Sequence, residues 1–266
     1  MSSPRQVGDP VGPEAHPSVL KLLRQGAWFG GLPPALQELI LRESVVRSYP
    51  KGQVVIREGE PPKGLFAVLE GRVRAVCWAG DAAEVLMHVG EAGLWFGHYG
   101  AMSRNPSIGS VIADSPVRLL LLPAFKFERI VADEPQYYRA FADAALERYA
   151  FLFRYVAEAH GLSPEGRLRA RLADLAHLAG RERPRRGPVA LTVSQTDLAT
   201  LVGVSRQTLN GLLKRLEAER LIEVAFRRIR VLDEARLRDG RGGAARRGAE
   251  PLPAAVPIAA AGVSDV

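Results

Sequence analysis

Apolar and polar positions separate cleanly around a helix predicted between residues 206 and 216, at about 100° per residue. One arc of this helix carries Leu209, Leu212, Leu213 and Leu216. The opposite arc carries Gln207, Asn210, Gly211 and Lys214, with Arg206 at its edge. The pattern predicts a helix that packs on a domain core through its leucines and presents hydrogen-bonding side chains on its free side.

A second helix is predicted directly before this one, and small residues mark a tight turn between them. Ser194 and Asp197 resemble a capping box for the first helix, and Ser205 can cap the second. Gly203 follows Ala199 by four residues and can adopt the positive φ that a sharp turn needs. This pattern predicts a helix-turn-helix, a motif whose second helix enters the major groove of DNA. An ordinary amphipathic surface helix is the alternative, but it leaves the turn and the caps unexplained.

Two short β-rich runs within residues 221–233 predict a hairpin, or wing, after the second helix. Arg227 and Arg228 lie at its basic tip, where they can hold phosphates and fix the register of the protein on DNA. A solvated hairpin tip is the plain alternative.

Short β-like runs separated by glycines fill the front half of the chain. The runs are 53–56, 65–69, 73–76, 85–88 and 117–122. This spacing predicts a compact antiparallel barrel or roll, with the glycines forming turns.

A long helix is predicted from Pro135 to about His160, between the β-rich half and the helix-turn-helix. Its positions at alternating four- and three-residue steps predict a coiled-coil seam between two chains. The seam residues are Tyr138, Ala142, Ala145, Tyr149, Leu152, Val156 and Ala159. Phe141, Phe151 and Phe153 widen the apolar surface, so part of it is expected to touch the β-roll. The alternative is one amphipathic helix packed only on its own domain.

Charge is unevenly distributed, and its position changes the picture. The chain has a net charge of +7, whereas residues 163–247 alone carry 19 Arg and Lys against 10 Asp and Glu. The excess basicity therefore accompanies the helix-turn-helix, as neutralisation of DNA phosphates requires. A basic loop is expected at residues 181–188, and Ser163 with Pro164 is expected to begin a further helix.

Cys77 is the single cysteine of the chain, which excludes an internal disulfide framework and a Cys-ligated iron–sulfur cluster within one chain. No signal peptide and no apolar run of membrane-spanning length is recognised, so we expect a cytoplasmic protein with no membrane partner. The Ala-, Gly-, Pro- and Arg-rich residues from about 240 onward are expected to be a disordered tail.

Several segments together resemble Crp/Fnr transcription regulators. In the front half these are 28–33, 49–60 and 65–73, which are similar to the family's cyclic-nucleotide-binding β-roll; in the back half they are 198–208 and 216–222, which are similar to its winged helix. The resemblance implies an α+β fold with an N-terminal antiparallel, jelly-roll-like β-roll, a long dimerisation helix and a C-terminal winged helix-turn-helix. The implied organisation is a flexible segment 1–26, a sensor domain 27–134, a dimerisation helix 135–162, a DNA-binding domain 163–238 and a disordered tail 239–266.

The resemblance breaks at the nucleotide site. The family's nucleotide binders carry a Gly-Glu pair for the ribose and a later Arg-Ser/Thr-Ala for the phosphate, but here His98 follows Gly97 and Ser107 stands at the arginine position. A register using Gly90-Glu91 meets Arg104, which is followed by Asn-Pro. Losing a charge-assisted phosphate contact removes about 1.5–3 kcal/mol per hydrogen bond, so cyclic AMP binding is not expected and the cofactor is unknown. The candidate effector pocket consists of Phe96, Gly97, His98, Ser107, Ile108, Gly109 and Ser110.

The resemblance implies a transcription regulator, not an enzyme. It would be a homodimer that binds a palindromic double-stranded operator, works with RNA polymerase and answers a signal at the β-roll, which can be a small-molecule effector. Arg206 and Gln207 would contact bases, while Gly211 occupies a position where some relatives carry a base-contacting arginine. The candidate DNA contacts are Gln195, Ser205, Arg206, Gln207, Thr208, Asn210, Lys214, Arg227 and Arg228.

Two alternatives stay open. One is a haem- or redox-sensing regulator that uses His88, His98 or Cys77. Structural roles for two lone histidines and a small core cysteine are the simpler interpretation. The other is a nucleotide-responsive regulatory subunit that does not bind DNA.

Overall fold

A computed structural model describes residues 9–10, 16–79, 83–182, 187–225 and 228–239. The helices are α1 (His16–Leu23), α2 (Ala27–Gly30), α3 (Pro34–Glu43), α4 (His98–Ser103), α5 (Ala124–Asp133), α6 (Tyr138–Gly161), α7 (Pro164–Glu182), α8 (Gln195–Val202), α9 (Arg206–Ala218) and α10 (Glu234–Asp239). The strands are β1 (Asp9–Pro10), β2 (Val45–Tyr49), β3 (Val54–Ile56), β4 (Gly64–Glu70), β5 (Val73–Ala79), β6 (Ala83–Gly90), β7 (Trp95–Phe96), β8 (Ser110–Ala113), β9 (Val117–Pro123), β10 (Val189–Leu191), β11 (Ile222–Ala225) and β12 (Arg228–Val231).

Two antiparallel sheets make the β-roll, in the strand orders β1-β2-β9-β4-β7 and β3-β8-β5-β6. Alternation along β4 explains how one strand serves two cores. Phe66 and Val68 join the core between the sheets, whereas Leu65 and Ala67 join a core beneath the helices. Successive side chains of a strand point to opposite faces, so both faces of β4 are apolar because both are covered.

The core beneath the helices joins α6 to the β-roll. Phe127 of α5 and Phe141 of α6 meet edge to face, with ring centroids 4.9 Å apart. The indole N–H of Trp28 donates to the carbonyl of Ala140 at 2.8 Å. Buried Phe141 confirms that part of the apolar surface of this helix touches the roll.

The rest of α6 presents an uncovered apolar face. Of the predicted seam residues, Ala142 and Ala145 are half-buried, and Tyr138, Tyr149, Leu152, Val156 and Ala159 are exposed. Leu146 and Phe153 lie on the same face and are 61% and 68% exposed. The sequence pattern thus located this face but assigned Leu146 to no role. We define the α6 stripe as Leu146, Tyr149, Leu152, Phe153 and Val156.

The winged helix is a separate core formed by α7, α8, α9, α10 and the three-stranded sheet β10-β12-β11. The four predicted leucines of α9 are all buried in it. The antiparallel fold class, the long helix and the winged helix-turn-helix predicted from the sequence are confirmed.

Three predicted segment boundaries need correction. Residues 1–26 were expected to be flexible, but α1 lies among them, and its Val19 and Leu23 are buried against the helix-covered core. Pro135 opens a 3-10 turn, Pro135–Tyr137, and the α-helix itself begins at Tyr138. Of the expected basic loop 181–188, the first two residues continue α7, and 183–186 lie outside the described residues. The expected tail also lies outside them, except Asp239 at the end of α10.

An apolar contact joins the two halves of the molecule. Leu201 of α8 packs with Val76 of β5 and Leu86 of β6. Tyr155 of α6 donates from its hydroxyl to the carbonyl of Leu201 at 3.2 Å. Leu201 of the helix-turn-helix therefore contacts both the sensor sheet and α6.

Candidate nucleic-acid interface and effector cavity

The turn between α8 and α9 is built by local chemistry. The Ser194 hydroxyl accepts from the Asp197 amide at 3.0 Å and donates to the Asp197 carboxylate at 2.6 Å. Gly203 ends α8 in the left-handed region, with φ of 70°. The amide of Val204 then donates to the carbonyl of Ala199 at 3.0 Å. These bonds satisfy backbone groups at both ends of α8 and fix the direction in which α9 leaves.

The second helix is capped in the same way and presents a polar face. The Ser205 hydroxyl accepts from the Thr208 amide at 3.1 Å. Arg206, Gln207 and Lys214 are exposed, and Asn210 is half-buried beside them. Every side chain on this face can donate or accept a hydrogen bond, as contact with base edges requires.

Two further predicted contacts, Ser205 and Thr208, are exposed at the start of the helix. The Ser205 and Thr208 hydroxyls lie 2.9 Å apart and bond to each other. Gln195 is half-buried as the first residue of α8. The structure therefore brings Arg206, Gln207, Asn210 and Lys214 together on one face, with the caps behind them.

The wing pairs β11 with β12, and β12 with β10. Arg228 is exposed at the start of β12, while Arg227 lies outside the described residues. Arg230, farther along β12, is bonded to Glu223 at 2.5 Å. Arg228 is thus the described wing arginine that lies nearest the tip.

Two buried or half-buried arginines brace this domain and were missed in the sequence. Arg167 donates to the carbonyl of Val202 at 2.8 Å and to that of Leu162 at 3.0 Å. Arg169 bridges Glu165 and Glu219, at 2.9 and 2.7 Å. Val202 and Glu219 are 35 and 50 residues away from their arginines, so no local pattern could have identified these two contacts.

A cavity of about 590 Å³ opens between the β-roll and α6. All seven predicted pocket residues line it, from Phe96 to Ser110. Side chains of α6, including Arg148 and Phe151, form the opposite wall. Asp174 and His177 of α7 and Arg238 of α10 also contribute, and the sequence did not predict these contributions. Its volume is in the range of pockets that bind small organic molecules.

His98 lies in the wall of this cavity at the first position of α4. Gly97 precedes it with φ of 92°, and a Cβ there would lie 2.4 Å from the carbonyl oxygen of Gly64. The imidazole packs edge to face on Trp28, with ring centroids 5.3 Å apart. Neither ring nitrogen has a hydrogen-bond partner among the described residues. Burial, and secondarily the charge of Arg148, lowers the pKa of His98 to about 3, so the ring is neutral near pH 7.

Comparison with known families decides what these two sites belong to. Residues 46–134 match the model of the cyclic nucleotide-binding domain, and residues 166–239 match that of the Crp-like helix-turn-helix domain. The chain belongs to the Crp/Fnr family of transcriptional regulators. Neither match is to a catalytic domain, and the family regulates transcription rather than catalysing a reaction.

Relatives span nearly the whole length of the fold. A CRP-like cAMP-activated global transcriptional regulator of Mycobacterium tuberculosis is 23% identical over 217 residues, which are 82% of this chain and 97% of that protein. The cAMP-activated global transcriptional regulator CRP of Pasteurella multocida is 24% identical, over 70% of this chain and 88% of its own. The structure of FixK2 from Bradyrhizobium japonicum superposes with a TM-score of 0.66 at 19% identity, over 76% of this chain and 99% of that one.

Within this Crp/Fnr fold, the cavity lacks the phosphate clamp expected of nucleotide binders. The backbone of Ser107 is bonded to Glu60 at 3.0 Å and to Gly59 at 2.8 Å. Arg104 pairs with Glu128 at 3.2 Å and does not line the cavity. The alternative register through Arg104 therefore brings no cation to the cavity wall.

The remaining sensor candidates line the same cavity. Burial and the charge of Glu58 raise the pKa of the Cys77 thiol, which disfavours the reactive thiolate. His88 on β6 is also in the wall. In the described part of the chain, no group of three or more His, Cys, Asp or Glu is placed to hold a metal ion. None of the described helices is both long and apolar enough to cross a membrane.

Proposed function

We propose that this Crp/Fnr regulator binds a palindromic operator as a homodimer, with α9 in the major groove of each half-site. The observation that carries the proposal is the exposed polar face of α9, held by two capped helices. Arg206, Gln207 and Asn210 contact bases, while Lys214 and Arg228 contact phosphates.

The α6 stripe supports the dimer. Its five apolar side chains are between 41% and 68% exposed, on a helix whose Phe141 and Ala144 are buried. Two copies of this stripe packed together bury apolar surface that one chain leaves in water. Pairing two winged helices also places two recognition helices at a fixed spacing, which one copy cannot do.

The test of this function separates base contacts from phosphate contacts. A footprint on genomic promoter fragments first defines the operator. Arg206→Ala should then weaken operator binding by about 1–3 kcal/mol and relax the preference at one base pair. Arg228→Ala should weaken binding to operator and random DNA alike, and should reduce the slope of affinity against salt.

Arg139→Gln is the matched control, because Arg139 is an exposed arginine of α6 outside the winged helix. It should leave both affinities unchanged. If Arg206→Ala reduced the affinity for operator and for random DNA equally, Arg206 would not contact a base.

We further propose that an effector in the cavity sets the operator affinity. A ligand that contacts both the β-roll and the residues of α7 and α10 has different contacts when the winged helix moves, so it shifts the population between two arrangements. We expect RNA polymerase to be a partner of this transcription regulator. We expect the protein to act in the cytoplasm, where its operator DNA lies.

A haem-triggered regulator is the second candidate. Its support is that both ring nitrogens of His98 lack a partner in the described parts of the chain, and that His88 lines the same cavity. A neutral imidazole is a good axial ligand. A visible absorption spectrum of the purified protein checks this candidate, since bound haem gives an intense Soret band.

A further inference from the structure

We propose that the cavity binds an apolar organic anion, with its body on the aromatic walls and its head group beside His98 and Arg148. The inference rests on the proposed effector control and names the chemical class of the effector. It separates this chain from regulators that recognise a ribose and a cyclic phosphate.

The walls favour an apolar body. Trp28, Trp95, Phe96 and Phe151 contribute aromatic surface, and Leu94, Ile108 and Met87 contribute aliphatic surface. Trp28 and Trp95 pack edge to face, with ring centroids 5.1 Å apart, and form a continuous aromatic surface in the wall. A ligand that lies on this wall buries apolar area from water on both partners.

Unpartnered polar atoms favour a head group at one end of the cavity. His98 is 4% exposed, and both of its ring nitrogens lack a partner among the described residues. The indole N–H of Trp95, in the same wall, also lacks one there. Buried polar groups are almost always hydrogen-bonded. A neutral imidazole has one N–H group, so a ligand head group can accept from this N–H and from the indole N–H of Trp95.

The charges favour an anion. Lys63, Arg148, Arg154 and Arg238 line the cavity, against Glu147 and Asp174 among the described lining residues. Arg148 donates to the carbonyl of Trp95, and the charge of its guanidinium acts on His98, so a positive charge lies beside both groups. Nucleotide binders of the family carry a glutamate at the position of His98. The neutral imidazole that stands here carries no negative charge toward an anionic ligand.

Two fluorescent probes with the same apolar body test the charge requirement. 8-Anilinonaphthalene-1-sulfonate carries a sulfonate, and N-phenyl-1-naphthylamine lacks it. The full chain should bind the anionic probe at least about tenfold more tightly than the neutral one. Arg148→Gln should abolish most of this preference, whereas Arg139→Gln on the same helix should retain it, because Arg139 does not line the cavity.

His98→Phe tests the head-group site and keeps a ring against Trp28. It should weaken the anionic probe several-fold while leaving the ligand-free protein at least as heat-stable as before, because it removes unpartnered buried nitrogens. If His98 had only a structural role, His98→Phe would make the protein less heat-stable.

Three results would overturn the proposal. They are equal affinity for the two probes, equal effects of Arg148→Gln and Arg139→Gln, and displacement of the anionic probe by micromolar cyclic AMP. A Soret band on addition of haemin that disappears in His98→Phe would assign the cavity to haem instead. Operator binding is measured on the same preparations without probe. A protein that keeps its preference for the anionic probe but does not bind the operator would contradict the proposed regulator function and leave the ligand proposal intact.

Discussion

At the scale of single residues, His98 shows how burial changes chemistry. An exposed histidine gains a proton near pH 6.5, but the cavity wall lowers the pKa of His98 to about 3. The residue therefore works as a neutral hydrogen-bonding group. Cys77 in the same wall is shifted toward its protonated form for a related reason. Neither group is poised to ionise close to neutral pH.

The lowered pKa predicts how stability depends on pH. Between about pH 3 and 6.5 the unfolded chain protonates His98 while the folded chain does not, so this group makes stability fall as pH falls, by up to about 1.4 kcal/mol per pH unit. His98→Phe removes this contribution. In urea titrations its stability advantage over the original protein should grow from pH 7 to pH 5.

Phe125→Leu provides the control for this measurement, because Phe125 is 67% exposed on α5 and the change involves no ionisable group. It should leave the pH dependence as it was. A constant difference between His98→Phe and the original protein at every pH would show that folding does not change the pKa of His98.

At the scale of elements, the helix-turn-helix depends on one backbone conformation. Gly203 has φ of 70°, and a Cβ there would meet no heavy atom within 4 Å. Only backbone strain therefore opposes a side chain at this position. Gly211, inside α9, also has open space around its missing Cβ but has ordinary helical φ.

This contrast makes a matched pair of substitutions. Gly203→Ala should destabilise the protein by about 1–2 kcal/mol, since alanine is strained in the left-handed region. Gly211→Ala should stabilise it by about 0.5–1 kcal/mol, because glycine costs that much inside a helix. Thermal unfolding followed by circular dichroism measures both, and equal shifts would contradict the role given to the turn.

At the scale of the whole molecule, α6 and the interdomain contact decide how the two halves work together. Arg171 of α7 is buried between Glu158, with which it pairs, and the ring of Tyr155, whose centroid is 4.1 Å from its guanidinium carbon. Leu201 adds the apolar contact to the sensor sheet. Val76 and Phe151 also line the cavity, so a ligand there lies next to both of these contacts.

The proposed dimer can be broken at the α6 stripe without touching the DNA-binding face. Leu146→Glu combined with Tyr149→Glu places four charges in a paired stripe, so the protein should become monomeric and lose operator affinity at least about tenfold. Size-exclusion chromatography with light scattering gives the mass, and gel shifts give the affinity. Phe125→Glu is the control, because Phe125 is 67% exposed on α5. A mass that stays unchanged in the double variant would exclude this face as the interface.

The sequence by itself determined those features that depend on residues close together along the chain. The caps at Ser194 and Ser205, the turn at Gly203 and the buried leucines of α9 follow from side-chain periodicity and local hydrogen bonds. Tyr149, Leu152 and Val156 of the α6 stripe follow in the same way from spacing along one helix, whereas Leu146 was not predicted. Such patterns survive without knowledge of the rest of the fold because their partners are at most a few residues away.

Only the tertiary structure decided what surrounds the cavity. Arg238 reaches the same wall as His98 although 140 residues separate them in the chain, and no periodicity carries that information. The isolation of the His98 nitrogens depends equally on what packs around them, because burial and pairing are properties of the assembled fold. α1 went unrecognised for the same reason, since its buried Val19 and Leu23 pack in a core built from distant segments of the chain.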